Sequence, residues 1–367
     1  MTNEHLAWKP NWAISPGEIL AEALEERGMS QSELARRMDR PVKTINQIVN
    51  GKAAITHDTA IQLELAIGIS ARLWNGLESN FREHLAALRA ELELESVADW
   101  AKDFPSIEMV RLGLIAREAV ETKGGKVAAL LSFFGVSSPT AWERQWINSA
   151  PAFRESPTYM TAPKVAATWL RWGEIQANQI KTAPFSAKAF RAAITDFRGL
   201  TRRDPLLVFD RMREVAAASG VVLVLTPELR STHLSGAARW LTADRALIQV
   251  SLRHKTDDQF WFSLFHEARH ILVGKKRDFV DADGEADKSS SSTEKDADKF
   301  ARDLLIPLSA YNEFLRAANF SESSIRNFAI ALGVAPGIVV GRLQHDGHVV
   351  PSALNYLKRR INWVVST

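Results

Sequence analysis

Apolar residues recur at helical spacing toward both ends of the chain, and strand-like runs occupy only a short stretch between. Ile19, Leu20, Ala23 and Leu24 form the first periodic run, with Ser15 or Pro16 suited to its start and Gly28 to its end. Ser30 opens a second helix over residues 31–38, with Glu33 at the capping-box position. After a turn at Asp39 and Arg40, a third helix runs from Pro41 to Asn50-Gly51, its inward stripe formed by Ile45, Ile48 and Val49. Residues 85–94, of mixed charge, predict a connecting helix, and residues 127–136 a shorter one closed by the turn Ser137-Ser138-Pro139. Trp142 and Trp146, and Trp169 and Trp172, are spaced as helical pairs, which assigns them to core packing rather than ligand stacking.

Three strand signals follow, at residues 221–225, 237–241 and 246–252, and predict a small sheet. Thr256-Asp257-Asp258-Gln259 has capping-box spacing, and Phe260, Trp261, Phe262, Leu264 and Phe265 carry a buried helix onward to Gly274, with Lys275, Lys276 and Arg277 at its negative end. Another helix is predicted from Glu294 until Pro307 stops it, and residues 281–293 form a polar connection between the two.

The first of these two helices carries His266-Glu267-Ala268-Arg269-His270. Histidines at i and i+4 project from one helical face, so both imidazoles can reach one tetrahedral Zn²⁺, with Glu267 beside the water at its open position. A catalytic zinc needs a third protein ligand, and in a chain without Cys that ligand is His, Asp or Glu. Glu294 is the candidate, with Asp281, Asp283, Glu285, Asp296 and Asp298 as competing oxygen donors. Glu294 and Asp298 are themselves i and i+4, so Asp298 can accept a hydrogen bond from a ligand His and fix its tautomer. In this arrangement Glu267 is the general base that activates water against a peptide carbonyl. Tyr311, His345 and His348 are open alternatives for an oxyanion donor, none of them preferred. An edge strand of the sheet can pair with an extended substrate.

The stretch from Glu294 to Pro307 resembles the ImmA/IrrE family of metallopeptidases, in which H-E-x-x-H is followed by E-x-x-A-N/D-x-F-A-x-x-L-L-x-P. The likeness extends through Gly236-Ala237-Ala238-Arg239-Trp240-Leu241, Ile248 to Arg253, and Pro336 to Leu343. It implies a zincin-like peptidase domain with zinc as cofactor. Arg269 departs from the family, many of whose members carry Gly before the second His, and places a large cation beside the expected metal.

At the other end, the two short helices joined by a tight turn read as helix-turn-helix. Lys43, Thr44, Asn46 and Gln47 are expected to point outward from the third helix, where Asn and Gln can pair with adenine, Lys with guanine or phosphate, and Thr with a thymine methyl. Gln31, Arg40 and Lys52 complete the expected DNA-contacting set, and Arg36, Arg37, Arg40, Lys43 and Lys52 against Asp39 predict a locally basic segment. Pro16 to Leu20, Ser30 to Ala35, Ile48 to Thr56 and Gly68 to Trp74 resemble HigA-like, Xre-type antitoxin and repressor domains. That resemblance implies binding to double-stranded operator DNA as a homodimer.

The expected architecture is mainly α with a small α+β domain: a helix-turn-helix bundle at 1–80, a helical connector at 81–160 with its boundary near 151–163, the peptidase domain at 161–310 and a C-terminal helical extension at 311–367 packing on the peptidase domain. A net charge of +3 fits nucleic-acid contact through one patch. The absence of Cys excludes disulfides and thiolate metal sites and suits the cytoplasm. No secretory pattern opens the chain and no apolar run is long enough to cross a bilayer, which predicts no membrane partner. Two functions fit this sequence. One is a DNA-binding regulator whose zinc peptidase cleaves a repressor, a toxin or antitoxin partner, or itself. The other is a non-proteolytic HigA-like antitoxin or repressor whose peptidase-like domain binds a partner or ligand.

Overall fold

The computed structural model describes residues 14–148, 162–230, 234–253, 255–274 and 290–361. It is mostly helical with one small sheet, and its contacts divide it into two units: residues 1–100 with 121–128, and residues 101–120 with 129–367.

The first unit opens with α1 (Pro16–Glu26), α2 (Gln31–Arg37), α3 (Val42–Val49), α4 (His57–Ile67) and α5 (Ala71–Ser96). Side chains of Ser15, Ser30, Thr56 and Ser70 accept from backbone N–H groups in the first turns of α1, α2, α4 and α5, satisfying donors that have no helical partner. Leu20, Leu34, Ile45, Leu63 and Trp74 are buried at its centre. Gly17 decides how closely α1 meets α3, because a Cβ there would lie 2.1 Å from the carbonyl oxygen of Ile48. Helix α5 continues through residue 80, so the expected end of the first domain falls inside a helix, and the predicted connecting helix at 85–94 is part of it.

The second unit contains α6 (Ser106–Arg111), the C-terminal part of α7 (Lys123–Phe134), α8 (Pro139–Glu143), α9 (Pro163–Asn178), α10 (Ala187–Gly199) and α11 (Pro205–Ala218). Trp142 and Trp146 pack edge-on against Phe134, and Trp169 is fully buried, so these rings are core as expected, while Trp172 is half-buried. The expected boundary near 151–163 lies largely outside the described residues.

Strands β1 (Val221–Leu225), β2 (Gly236–Thr242) and β3 (Arg245–Val250) form a sheet of order β1-β3-β2, with β1 parallel and β2 antiparallel to β3. Among the described residues, both β1 and β2 are therefore edges. Against the sheet lie α12 (Asp257–Val273) and, beyond it, α13 (Ser290–Leu305), followed by α14 (Leu308–Arg316), α15 (Glu322–Leu332) and α16 (Pro336–His345). Residue 310 lies within α14, so the expected boundary there falls inside a helix, while side chains from α14 to α16 pack into the same core as the sheet and α12. No single described helix is long and apolar enough to cross a membrane.

Candidate metal centre and nucleic-acid interface

Helix α12 buries Asp257, Phe260, Trp261, Leu264, Phe265, Ala268 and Ile271, a stripe at three- and four-residue intervals. With that face fixed in the core, His266, Glu267 and His270 are left half-buried along the helix's other side. The expected capping box is not made: Thr256 stands at the N-cap without a side-chain hydrogen bond. Asp257 Oδ1 instead accepts from the N–H groups of Asp258 and Arg359, both at 3.0 Å, and Asp258 pairs with Lys358 Nζ at 2.8 Å. Lys275 to Arg277 lie outside the described residues.

Helix α13 packs against α12 through Ala297 and Ala301, both fully buried, whose small side chains permit close approach. Its last turn is held by Arg198, which donates to the carbonyls of Leu304 at 2.6 Å and Leu305 at 3.4 Å. Thus placed, α13 brings Glu294 to both histidines: Oε2 lies 3.1 Å from His266 Nε2, and Oε1 lies 3.4 Å from His270 Nε2. The two Nε2 atoms are 3.0 Å apart. Donors about 2.0–2.1 Å from a tetrahedral ion sit about 3.3 Å from one another, so these three side chains fit a zinc-sized ion. They form a cluster able to hold a metal.

Asp298 lies 2.9 Å from His266 Nδ1, the position from which a carboxylate fixes the ring with Nε2 toward the metal. Asp296, a competing ligand on sequence grounds, is engaged elsewhere: it accepts from Arg269 Nε at 2.8 Å. The Arg269 guanidinium also lies 5.2 Å from the centre of the Phe300 ring. The cation expected beside the metal is therefore bound to α13. Asp281, Asp283 and Glu285 lie outside the described residues.

The electrostatics follow from this crowding. Burial opposes charge on His266, but its hydrogen bond to Glu294 and the charges of Glu267, Glu294 and Asp298 raise it to about 9. Hydrogen bonds from His266 and His270 hold Glu294 well below the usual carboxylate range. Burial pushes Glu267 up, against the opposing pull of the two histidines, which suits a proton acceptor rather than a permanently ionised group.

Sequence reasoning missed the neighbour that confines this acid. A Cβ at Gly236, the first residue of edge strand β2, would lie 2.7 Å from Glu267 Cγ and 2.8 Å from its Oε1. A glycine opening a strand is the available signal for such an approach. The oxyanion-donor candidates form another group: the Tyr311 ring lies under Arg342 at 4.4 Å and 6.5 Å from the His348 ring, and His345 Nδ1 lies 2.9 Å from Asp346.

In the first unit, Lys43, Asn46 and Lys52 are exposed, while Gln31, Arg40, Thr44 and Gln47 are half-buried. Asn46 Nδ2 donates to Gln31 Oε1 at 3.2 Å, joining α3 to the start of α2, and Arg40 Nε donates to Gln62 Oε1 at 2.5 Å. Glu33 does not close the expected capping box but binds Arg36 and Arg37. The basic surface is correspondingly narrower than its composition predicts, because two of its five cations face a carboxylate. Asp39 turns the chain between α2 and α3 at a positive φ of 49°.

This geometry coincides with a family match. Residues 20–74 fit the model of the helix-turn-helix family HTH_3. Over 64 residues the chain is 39% identical to the uncharacterized HTH-type transcriptional regulator YddM of Escherichia coli (strain K12), covering 17% of this chain and 68% of that one. The chain belongs, through its first unit, to this helix-turn-helix family of DNA-binding regulators. It is also 37% identical over 70 residues to virulence-associated protein I of Dichelobacter nodosus, covering 19% of this chain and 65% of that one. Among solved structures, an addiction module antidote protein of a HigA family from Coxiella burnetii is 33% identical, with a TM-score of 0.21, covering 23% of this chain and 91% of that one.

Proposed function

We propose that the chain is a DNA-binding transcriptional regulator carrying a zinc-dependent peptidase in its second unit. The observation that carries this reading is the convergence of His266, His270 and Glu294, with ligand atoms within 4.8 Å of one another, beside the confined carboxylate of Glu267. The resemblance of the Glu294 to Pro307 stretch to ImmA/IrrE metallopeptidases supports it. His266, His270 and Glu294 hold the ion, and Asp298 orients His266. When bound, zinc polarises a peptide carbonyl and acidifies a water. Glu267, its proton affinity raised by burial, takes the proton from the attacking water and returns it to the leaving amine. The outer edge of β2, which no described strand pairs, offers backbone groups to an extended chain passing Glu267. The substrate class is a regulatory polypeptide: a repressor, a toxin or antitoxin partner, or a second copy of this chain.

In the first unit, Lys43, Asn46 and Gln47 on α3 meet base edges of an operator, with Thr44 at a thymine methyl. Gln31, Arg40 and Lys52 position the unit on the phosphates, and a homodimer reads two half-sites.

The decisive experiment compares wild-type protein with Glu267→Gln in metal content, operator footprint and cleaved-protein profile. Zinc and footprint are expected to persist while cleavage falls about 10²–10⁴-fold. If both proteins bind the operator and neither yields cleavage products, the second reading stands: a regulator or antitoxin whose peptidase-like unit binds a partner.

A further inference from the structure

Helix α13 is gripped on both flanks of the strip it buries. Side chains advance about 100° around a helix per residue, so the buried Ala297 and Ala301 form one strip, with Glu294 and Asp298 to one side of it and Asp296 and Phe300 to the other. The first flank meets the histidines, Glu294 facing both rings and Asp298 facing His266. The second flank meets Arg269, whose Nε donates to Asp296 Oδ2 at 2.8 Å while its guanidinium lies 5.2 Å from the centre of the Phe300 ring. One residue of α12 thereby holds a carboxylate and a ring that stand one turn apart on α13.

The alanine strip does not supply that constraint. Small side chains let helices approach closely, but they do not fix rotation about the helix axis. A roll of about 20° carries a side-chain tip, about 5–6 Å from the axis, through about 2 Å. That is the length of a zinc–oxygen bond, so a small roll is enough to take Glu294 out of reach. Arg198 holds only the last turn of α13, at the end away from Glu294.

We propose that Arg269 is a positioning residue for the third metal ligand: by clasping Asp296 and Phe300 it fixes the rotation of α13 and with it the reach of Glu294, a role that rests on the metal-site reading above. The turn of α12 that supplies two ligands then also aims the helix that supplies the third. Charge alone makes a different prediction. A cation beside Zn²⁺ repels it, so losing Arg269 would tighten zinc and losing Asp296 would loosen it, whereas the clasp requires both losses to loosen it.

The test measures zinc affinity by competition with a chromophoric chelator, and amide hydrogen exchange along α13 in the metal-free full-length protein, for wild type, Arg269→Ala, Asp296→Ala and the double variant. Each single substitution is expected to weaken zinc about tenfold, and the double variant to fall no further than either single. Exchange is expected to quicken over residues 292–300 and to keep its wild-type rate over 302–305, where Arg198 holds the last turn. Tighter or unchanged zinc binding in Arg269→Ala overturns the proposal, as do single effects that add in the double variant, unchanged exchange, or faster exchange along the whole helix. Should the wild type take up no zinc, the metal-site reading fails, and exchange decides the clasp separately. Quickening confined to residues 292–300 in Arg269→Ala supports it, and any other exchange result rejects it.

Discussion

Helix α3 and the pair α12–α13 are two solutions to presenting polar side chains from an apolar scaffold. On α3 the residues proposed to read bases lie within one eight-residue helix, with Lys43 and Asn46 exposed and Ile45 and Ile48 buried beneath them. On α12–α13 they come from segments 28 residues apart, and Glu294 meets His266 from a helix seated by the buried Ala297 and Ala301 and by Arg198. The first surface is local and tolerant of its neighbours. The second depends on packing at a distance, so substitutions that never touch the functional atoms are expected to disable it.

The largest effect tests the limits of that tolerance. Gly17→Ala forces a Cβ against the Ile48 carbonyl, and is expected to destabilise the first unit by about 3 kcal/mol or more and to abolish operator binding while zinc content persists. Chemical unfolding followed by tryptophan fluorescence measures it, and an unchanged midpoint would show that α1 can move away freely. Gly236→Ala addresses the other region. Displacing Glu267 is expected to reduce cleavage about 100-fold with zinc still bound, measured as kcat/KM beside metal content. Asp298→Ala should weaken zinc affinity about 10–100-fold in a competition with a chromophoric chelator, because His266 loses its orienting partner.

The smallest effect concerns the start of α12. Burial raises Asp257 from its ordinary 3.8 to about 6, with the neighbouring Asp258 charge adding to the rise. The folded protein therefore carries more protons than the unfolded chain between those pH values. This contribution is fully present at lower pH and is lost as pH rises through about 6. Relative to wild type, Asp257→Asn should gain stability as pH climbs from about 4 to about 7, read from urea midpoints. A constant difference across that range would place the charge elsewhere.

What the sequence made legible follows the same division. The first three helices, the caps at Ser15 and Ser30 and the stripe of Ile45 and Ile48 were readable, because each depends on residues a turn apart. The pairing of His266 with His270 and of Glu294 with Asp298 was readable for the same reason. Local spacing did not reveal which of two local partners a side chain takes, as with Glu33, which favours Arg36 and Arg37 over the cap. Nor did it reveal contacts between distant elements: Gly236 against Glu267, Arg269 bound to Asp296, or α5 continuing past the expected domain end.

The two alanines between α12 and α13 carry one last consequence. Ala297 and Ala301 are fully buried on α13, and small side chains at such positions let helices approach closely, which sets how near the carboxylate comes to the imidazoles. If the site holds an ion as proposed, the spacing of its donors then depends on residues that never contact it, and larger side chains there are expected to change which ion fits.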